Sequence, residues 1–213
     1  MIPRRDLTLG LAAAGLLPAL PALAQGAPAE GKDFVRLSQP VPMAASGKVE
    51  VVEFFWYGCP HCNAMEPSLE AWVRKLPADV SFRRMPVGFT PVHELHQRLF
   101  YTLEALGQLE AVHRKVFAAI HVQRRNLNSE AALVEFAGSV GLDAARFSET
   151  LKSFSVSGKA RQAKQMTAAF RIDGVPALGV HGRFYTSAAL TGSHERAFAV
   201  TDWLIQQVRK AGV

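Results

Sequence analysis

Apolar positions switch between strand and helix periods five times along the chain. Val49 to Tyr57 is dominated by β-branched and aromatic residues and bounded by Gly47 and Gly58, which predicts a core strand. Met65, Leu69, Trp72 and Val73 then recur at helical spacing, with Pro60 suited to the first turn and Pro67 expected to kink the helix. Val80 to Val87 reads as a second core strand, and Phe34 to Leu37 as a short one. From Val92 to Phe170 the period stays helical. Val92, Leu95, Leu99, Leu103 and Leu106 form one stripe, and Leu109, Val112, Val116 and Ile120 the next. Asn128 or Ser129 can cap a helix carrying Leu133, Phe136 and Val140 that Gly141 ends. Asp143 can cap one carrying Phe147 and Leu151, and another runs from about Val156 to Phe170. Strand character returns at Pro176 to Val180 and at Phe184 to Thr186, split by a His181-Gly182 turn. Ser193 caps a final helix with Ala197, Val200, Leu204 and Val208 on its apolar stripe.

The chain has 213 residues and a formal net charge of +6. Its start reads as an export signal over residues 1–24: Arg4 and Arg5, an apolar stretch from Leu7 to Leu20, then Ala22-Leu23-Ala24 as a cleavage site. The alternative, a retained anchor, suffers from Pro18 and Pro21 and from the shortness of the stretch. Arg4-Arg5 also fits a twin-arginine signal, although paired arginines are common in ordinary leaders. Residues 25–32, rich in Ala, Gly and Pro, form a flexible lead-in. No run of Lys or Arg exceeds two residues, and no basic stripe interleaves with aromatics, which argues for a solvated basic surface and against nucleic acid as a partner.

Cysteine usage sharpens the picture. The chain has two cysteines, Cys59 and Cys62, in the sequence Cys59-Pro60-His61-Cys62. Cross-linking so short a segment removes little chain entropy, so the pair serves chemistry rather than stability. A C-x-x-C that ends a strand and opens a helix is the layout of a thiol–disulfide redox site. At the helix N-terminus, free N–H groups and the positive end of the dipole favour a thiolate on Cys59. Cys62, one turn inside, is the resolving thiol. His61 can add a hydrogen bond or charge to the Cys59 thiolate; the bland alternative is a surface histidine. Glu53, inside the apolar strand, is expected on one face with residues 51, 55 and 57. There it can relay protons for Cys62, with Arg84 as its partner, unless it points to water from an edge strand. Val175-Pro176 is a candidate cis bond whose preceding backbone can pair with an extended client segment. A zinc site completed by His93 and His96 is the weaker reading, since those histidines fall on an amphipathic helix. The element order of strand, redox helix, strand, helical block, hairpin and helix predicts an α/β fold: a thioredoxin-like core, residues 25–91 and 171–213, with an inserted all-helical subdomain at 92–170.

Three stretches carry a family likeness: Val52 through Cys62, Asn128 to Ser153, and Gly174-Val175-Pro176-Ala177-Leu178. With them the chain resembles the DsbA family of periplasmic thiol–disulfide oxidoreductases over nearly all of its length beyond the leader. Pro60-His61 is the distinctive dipeptide, since disulfide isomerases and thioredoxins usually carry other pairs there. The resemblance implies a dithiol oxidase in the periplasm of a Gram-negative bacterium that acts on reduced, unfolded exported proteins. It implies re-oxidation by a membrane quinone-linked partner of the DsbB type, a monomer, and no cofactor beyond the Cys59–Cys62 disulfide. It also implies a cis bond at Pro176 and a buried Glu53 with Arg84 beside it. Some relatives carry a second, structural disulfide, for which this chain has no cysteines. A reductase or isomerase, or a chaperone-like binder of unfolded chains, are the competing functions.

Overall fold

The computed structural model describes residues 26–43 and 47–212; the export-signal reading of residues 1–24 falls outside them. Five strands form one mixed sheet in the order β1-β5-β4-β2-β3. They are β1 (Val35–Arg36), β2 (Val49–Phe55), β3 (Val80–Pro86), β4 (Ala177–Val180) and β5 (Phe184–Ser187). β2 runs parallel to β3 and antiparallel to β4, and β5 is antiparallel to both β4 and β1. Every residue of β2 is buried, as expected of a strand flanked on both edges and covered on both faces. Val49 and Val51 pack with Val200, Leu204 and Val208, whereas Val52 and Phe54 belong to the larger apolar core shared with the helical block.

Helix α1 (Pro60–Val73) follows β2 directly, and five helices lie between β3 and β4: α2 (Pro91–Ala105), α3 (Leu109–Phe117), α4 (Glu130–Ser139), α5 (Ala144–Leu151) and α6 (Phe154–Ala169). Side chains at their starts explain where several begin. Thr90, Ser129, Asp143 and Ser153 each accept a hydrogen bond from a first-turn N–H of α2, α4, α5 and α6, satisfying donors that a helix start leaves free. The short α7 (Ala188–Thr191) and the long α8 (His194–Lys210, capped by Ser193) close the chain. On one face of the sheet Met65 and Leu69 of α1 meet Leu178 of β4 and Phe198 of α8. On the other, Phe170 at the end of α6 lies against Phe54, ring centroids 5.0 Å apart.

Some local detail lies beyond what the apolar period specifies. β2 ends at Phe55, so the alternation that puts Val51, Glu53 and Phe55 on one face does not extend to Tyr57. α1 runs on through Pro67 as one helix. A π-helical turn, Ala118–Val122, extends α3, and α7 had no apolar period to reveal it. Glu53 lies in the central strand β2, opposite Arg84 on β3 and Leu178 on β4, so the edge-strand alternative for it is excluded.

Candidate functional site

β2 ends and α1 begins at the C-x-x-C. Cys59 is the N-cap of α1, and its Sγ accepts from the Cys62 N–H at 3.4 Å. Pro60 occupies the first turn, where a missing N–H leaves no bond unmade. Cys59 retains 7% of its surface and Cys62 none, so only the first sulfur is presented to a partner. Both are free thiols. Pro60 and His61 are exposed beside them.

The two thiols are driven apart in acidity. Cys59 is lowered to about 6, first by the hydrogen bond from the Cys62 thiol, then, against the opposing effect of burial, by the N–H groups of Cys62 and His61 and by the charge of His61. Cys62 is raised well above the ordinary thiol value, chiefly by burial and then by its bond to Cys59. The second thiol is thus the largest single support for the first as an anion, ahead of the helix N–H groups that the motif alone suggests.

The Val175–Pro176 peptide is cis, and it brings the Val175 carbonyl to 3.4 Å from Cys59 Sγ. A thiol can donate to that carbonyl; a thiolate cannot, so ionisation frees the acceptor. A groove of about 550 Å³ opens here, lined by His61, Asp173, Val175, Pro176, Tyr185 and Glu195 among others.

Beneath the pair lies a set of buried charges. Glu53 is fully buried, with Arg84 Nε 3.2 Å from its Oε2. The angle of that approach falls short of a hydrogen bond, so both Glu53 oxygens lack a hydrogen-bonding partner. Burial, then repulsion from Glu66, raises Glu53 to about 8 despite Arg84. Glu66, one turn after Cys62, takes a 2.9 Å bond from Arg84 Nη2 and lies 3.2 Å from His113 Nε2. Burial works to raise it, but the His113 and Arg84 bonds outweigh burial and hold it below the usual carboxylate range. His113 Nδ1 in turn meets the Tyr57 hydroxyl at 2.9 Å.

Glu66, His113 and Tyr57 were not singled out from the sequence. Glu66 and His113 sit on helices as polar residues usually do at solvent, and only the tertiary packing of α1 against α3 buries them. His93 and His96, the other metal candidates, are otherwise engaged. His96 accepts from Trp56 Nε1 at 2.9 Å and donates to the Leu127 carbonyl at 3.1 Å, leaving no lone pair for a metal. His93 stacks on Trp56, ring centroids 4.1 Å apart. Among the described residues no group of three or more His, Cys, Asp or Glu is placed to hold a metal ion.

The comparisons agree with this geometry. A family model described as "DSBA-like thioredoxin domain" matches residues 50–198. The thiol:disulfide interchange protein DsbA of Burkholderia cepacia is 44% identical over 95% of this chain and 94% of its own length. The crystal structure of Pseudomonas aeruginosa DsbA superposes with a TM-score of 0.82 at 40% identity, covering 85% of this chain and 94% of that one. The oxidoreductase DsbA of Xylella fastidiosa gives 0.80 at 29% identity over 87% of this chain and all of the other. The likeness spans the sheet, the redox helix and the inserted helices alike, and the chain belongs to the DsbA-like thioredoxin-domain family.

Proposed function

We propose that this protein is a thiol–disulfide oxidoreductase that donates the Cys59–Cys62 disulfide to cysteine pairs of newly exported proteins. A client thiolate attacks Cys59 Sγ; the S–S bond breaks, and Cys62 leaves with the electron pair. A mixed disulfide joins Cys59 to the client. The second client thiolate attacks the client sulfur, the client pair becomes a disulfide, and Cys59 leaves as a thiolate. The client loses two electrons and the protein gains them.

The observation that carries this reading is the split in acidity between the thiols: Cys59 ionises near pH 6, so it is a good leaving group at neutral pH. Cys62 leaves as a strong base and needs a proton. Glu53, protonated below about pH 8, supplies it. Once Cys59 is ionised, the Val175 carbonyl is free to take an N–H from an extended client strand, and Pro176 bounds that edge. His61 adds positive charge beside the thiolate.

Residues 25–91 and 171–213 act as the thioredoxin-like core and 92–170 as the helical insertion. Residues 1–24 serve as the leader that delivers the chain to the periplasm of a Gram-negative bacterium. There a membrane quinone-linked protein of the DsbB type restores the disulfide. The protein acts as a monomer with no cofactor beyond its own cysteine pair. The test is oxidative refolding of a reduced client protein: Cys59→Ser should abolish disulfide transfer. Full transfer by that variant would favour a chaperone-like binder whose thiols are incidental.

A further inference from the structure

We propose that His113, reaching in from α3, is a positioning residue that holds Glu66 as the anion of the Glu53–Arg84–Glu66 set and so leaves the shared proton on Glu53, beneath Cys62. This rests on the proton-donor role given to Glu53 above. Two buried carboxyls face one guanidinium: Arg84 Nη2 is 2.9 Å from Glu66, and Arg84 Nε is 3.2 Å from Glu53. One guanidinium neutralises one carboxylate, and a second unpaired anion at zero exposure is strongly disfavoured. One of the two must therefore hold a proton.

The hydrogen bonds decide which. Glu66 receives Arg84 Nη2 and faces His113 Nε2 at 3.2 Å, with Arg114 Nη1 at 4.0 Å. Glu53 has no hydrogen-bond donor. The direction of the His113 bond is set from its other end. Tyr57 keeps its O–H, because burial raises it well above the usual phenol value, and that O–H donates to His113 Nδ1. Burial also keeps the imidazole neutral, so Nε2 carries the single ring proton and points it at Glu66. The ring is fixed by edge-on contacts with Phe55 and Phe117, centroids 5.5 and 5.3 Å away.

The charged and titratable groups around the set are Glu66 and Glu70 of α1, Tyr57, Arg84 of β3, and Glu110 and Arg114 of α3, with Cys62 above. A cavity of about 340 Å³ is bordered by Glu70, Arg84, Glu110, His113 and Arg114, none of which lines the groove beside Cys59.

The test is an infrared titration of the dithiol protein, following the carboxylic-acid C=O band that Glu53→Gln removes. The native band should titrate away near pH 8. His113→Leu lets Glu66 compete for the proton, so the midpoint should fall by about one pH unit or more, a tenfold loss of proton affinity. His113→Gln, which can donate and accept at the same two places without titrating, should leave the midpoint within about 0.3 unit. An unmoved midpoint in folded His113→Leu would overturn the assignment. Should that variant not fold, Glu66→Gln removes the competing anion directly and should lower the midpoint likewise; an unchanged value there overturns it as well. The band is read without any client. Native protein that moves no disulfide refutes the proposed function, whereas normal transfer with an unmoved midpoint refutes the His113 role alone.

Discussion

Each sulfur of the motif takes its character from its immediate neighbours. Cys59 has the Cys62 thiol, two helix N–H groups and the His61 charge around it, and absorbance titration of the thiolate should give a midpoint near 6. His61→Ser should raise that midpoint, by less than about one unit, because the charge of His61 is the smallest of the contributions. Identical midpoints in the two proteins would remove His61 from the site. Glu53 makes the opposite kind of prediction. A carboxyl that holds its proton more tightly folded than unfolded costs stability as pH rises from about 4.5 to about 8. Glu53→Gln should therefore melt higher than the native protein, with a difference that is small at pH 5 and has grown by at least about 2 °C at pH 8. A difference that shrinks with pH would show Glu53 to be ionised. The burial of Glu53 was legible because a carboxyl set inside a run of β-branched and aromatic residues shares the burial of its neighbours. Glu66 and His113 were not, because one polar residue per helical turn looks the same whether it meets solvent or another buried charge.

Elements obeyed their local rules better than they revealed their partners. Caps at Ser129, Asp143 and Ser193 and the turn at Gly182 could be read directly, since each depends on residues within one turn. Gly182 has φ +64°, and a Cβ there would collide with the Val41 carbonyl. The pairing order of the strands, the antiparallel contact of β1 with β5 and the π-helical turn at Ala118–Val122 could not, because they are settled by contacts distant in sequence. That turn places His121 to donate from Nε2 to the Tyr57 carbonyl at 2.8 Å, tying the insertion to the approach to Cys59. Ser129→Ala should cost about 1 kcal/mol in denaturant unfolding while leaving disulfide transfer unchanged. Gly179→Ala should cost more, about 1–3 kcal/mol, because its Cβ would come within 2.5 Å of the Phe170 ring that packs on Phe54. Equal stability of Gly179→Ala and the native protein would mean that Phe170 moves aside freely.

The whole molecule stores redox bias as a difference in stability between its two covalent forms. A thiol whose folded value is about 6 against an ordinary 9.0 stabilises the folded dithiol form above pH 6, and that gain is lost as pH falls through 6. It amounts to roughly 1.4 kcal/mol at pH 7 and approaches about 4 kcal/mol by pH 9. The disulfide form has no such group, and its four-residue ring returns little by restricting the unfolded chain. The helical insertion contributes through His113 and His121, which reach the residues flanking the motif, so the redox helix is held from both layers of the fold. The direct measurement is a pair of thermal melts, oxidised and reduced, between pH 5 and pH 8. The reduced protein should melt at the higher temperature near neutral pH, with a gap that opens by about 5–10 °C over that range. An oxidised form that melts higher throughout, or a gap that ignores pH, would mean that the Cys59 thiolate is not what makes the disulfide easy to give away.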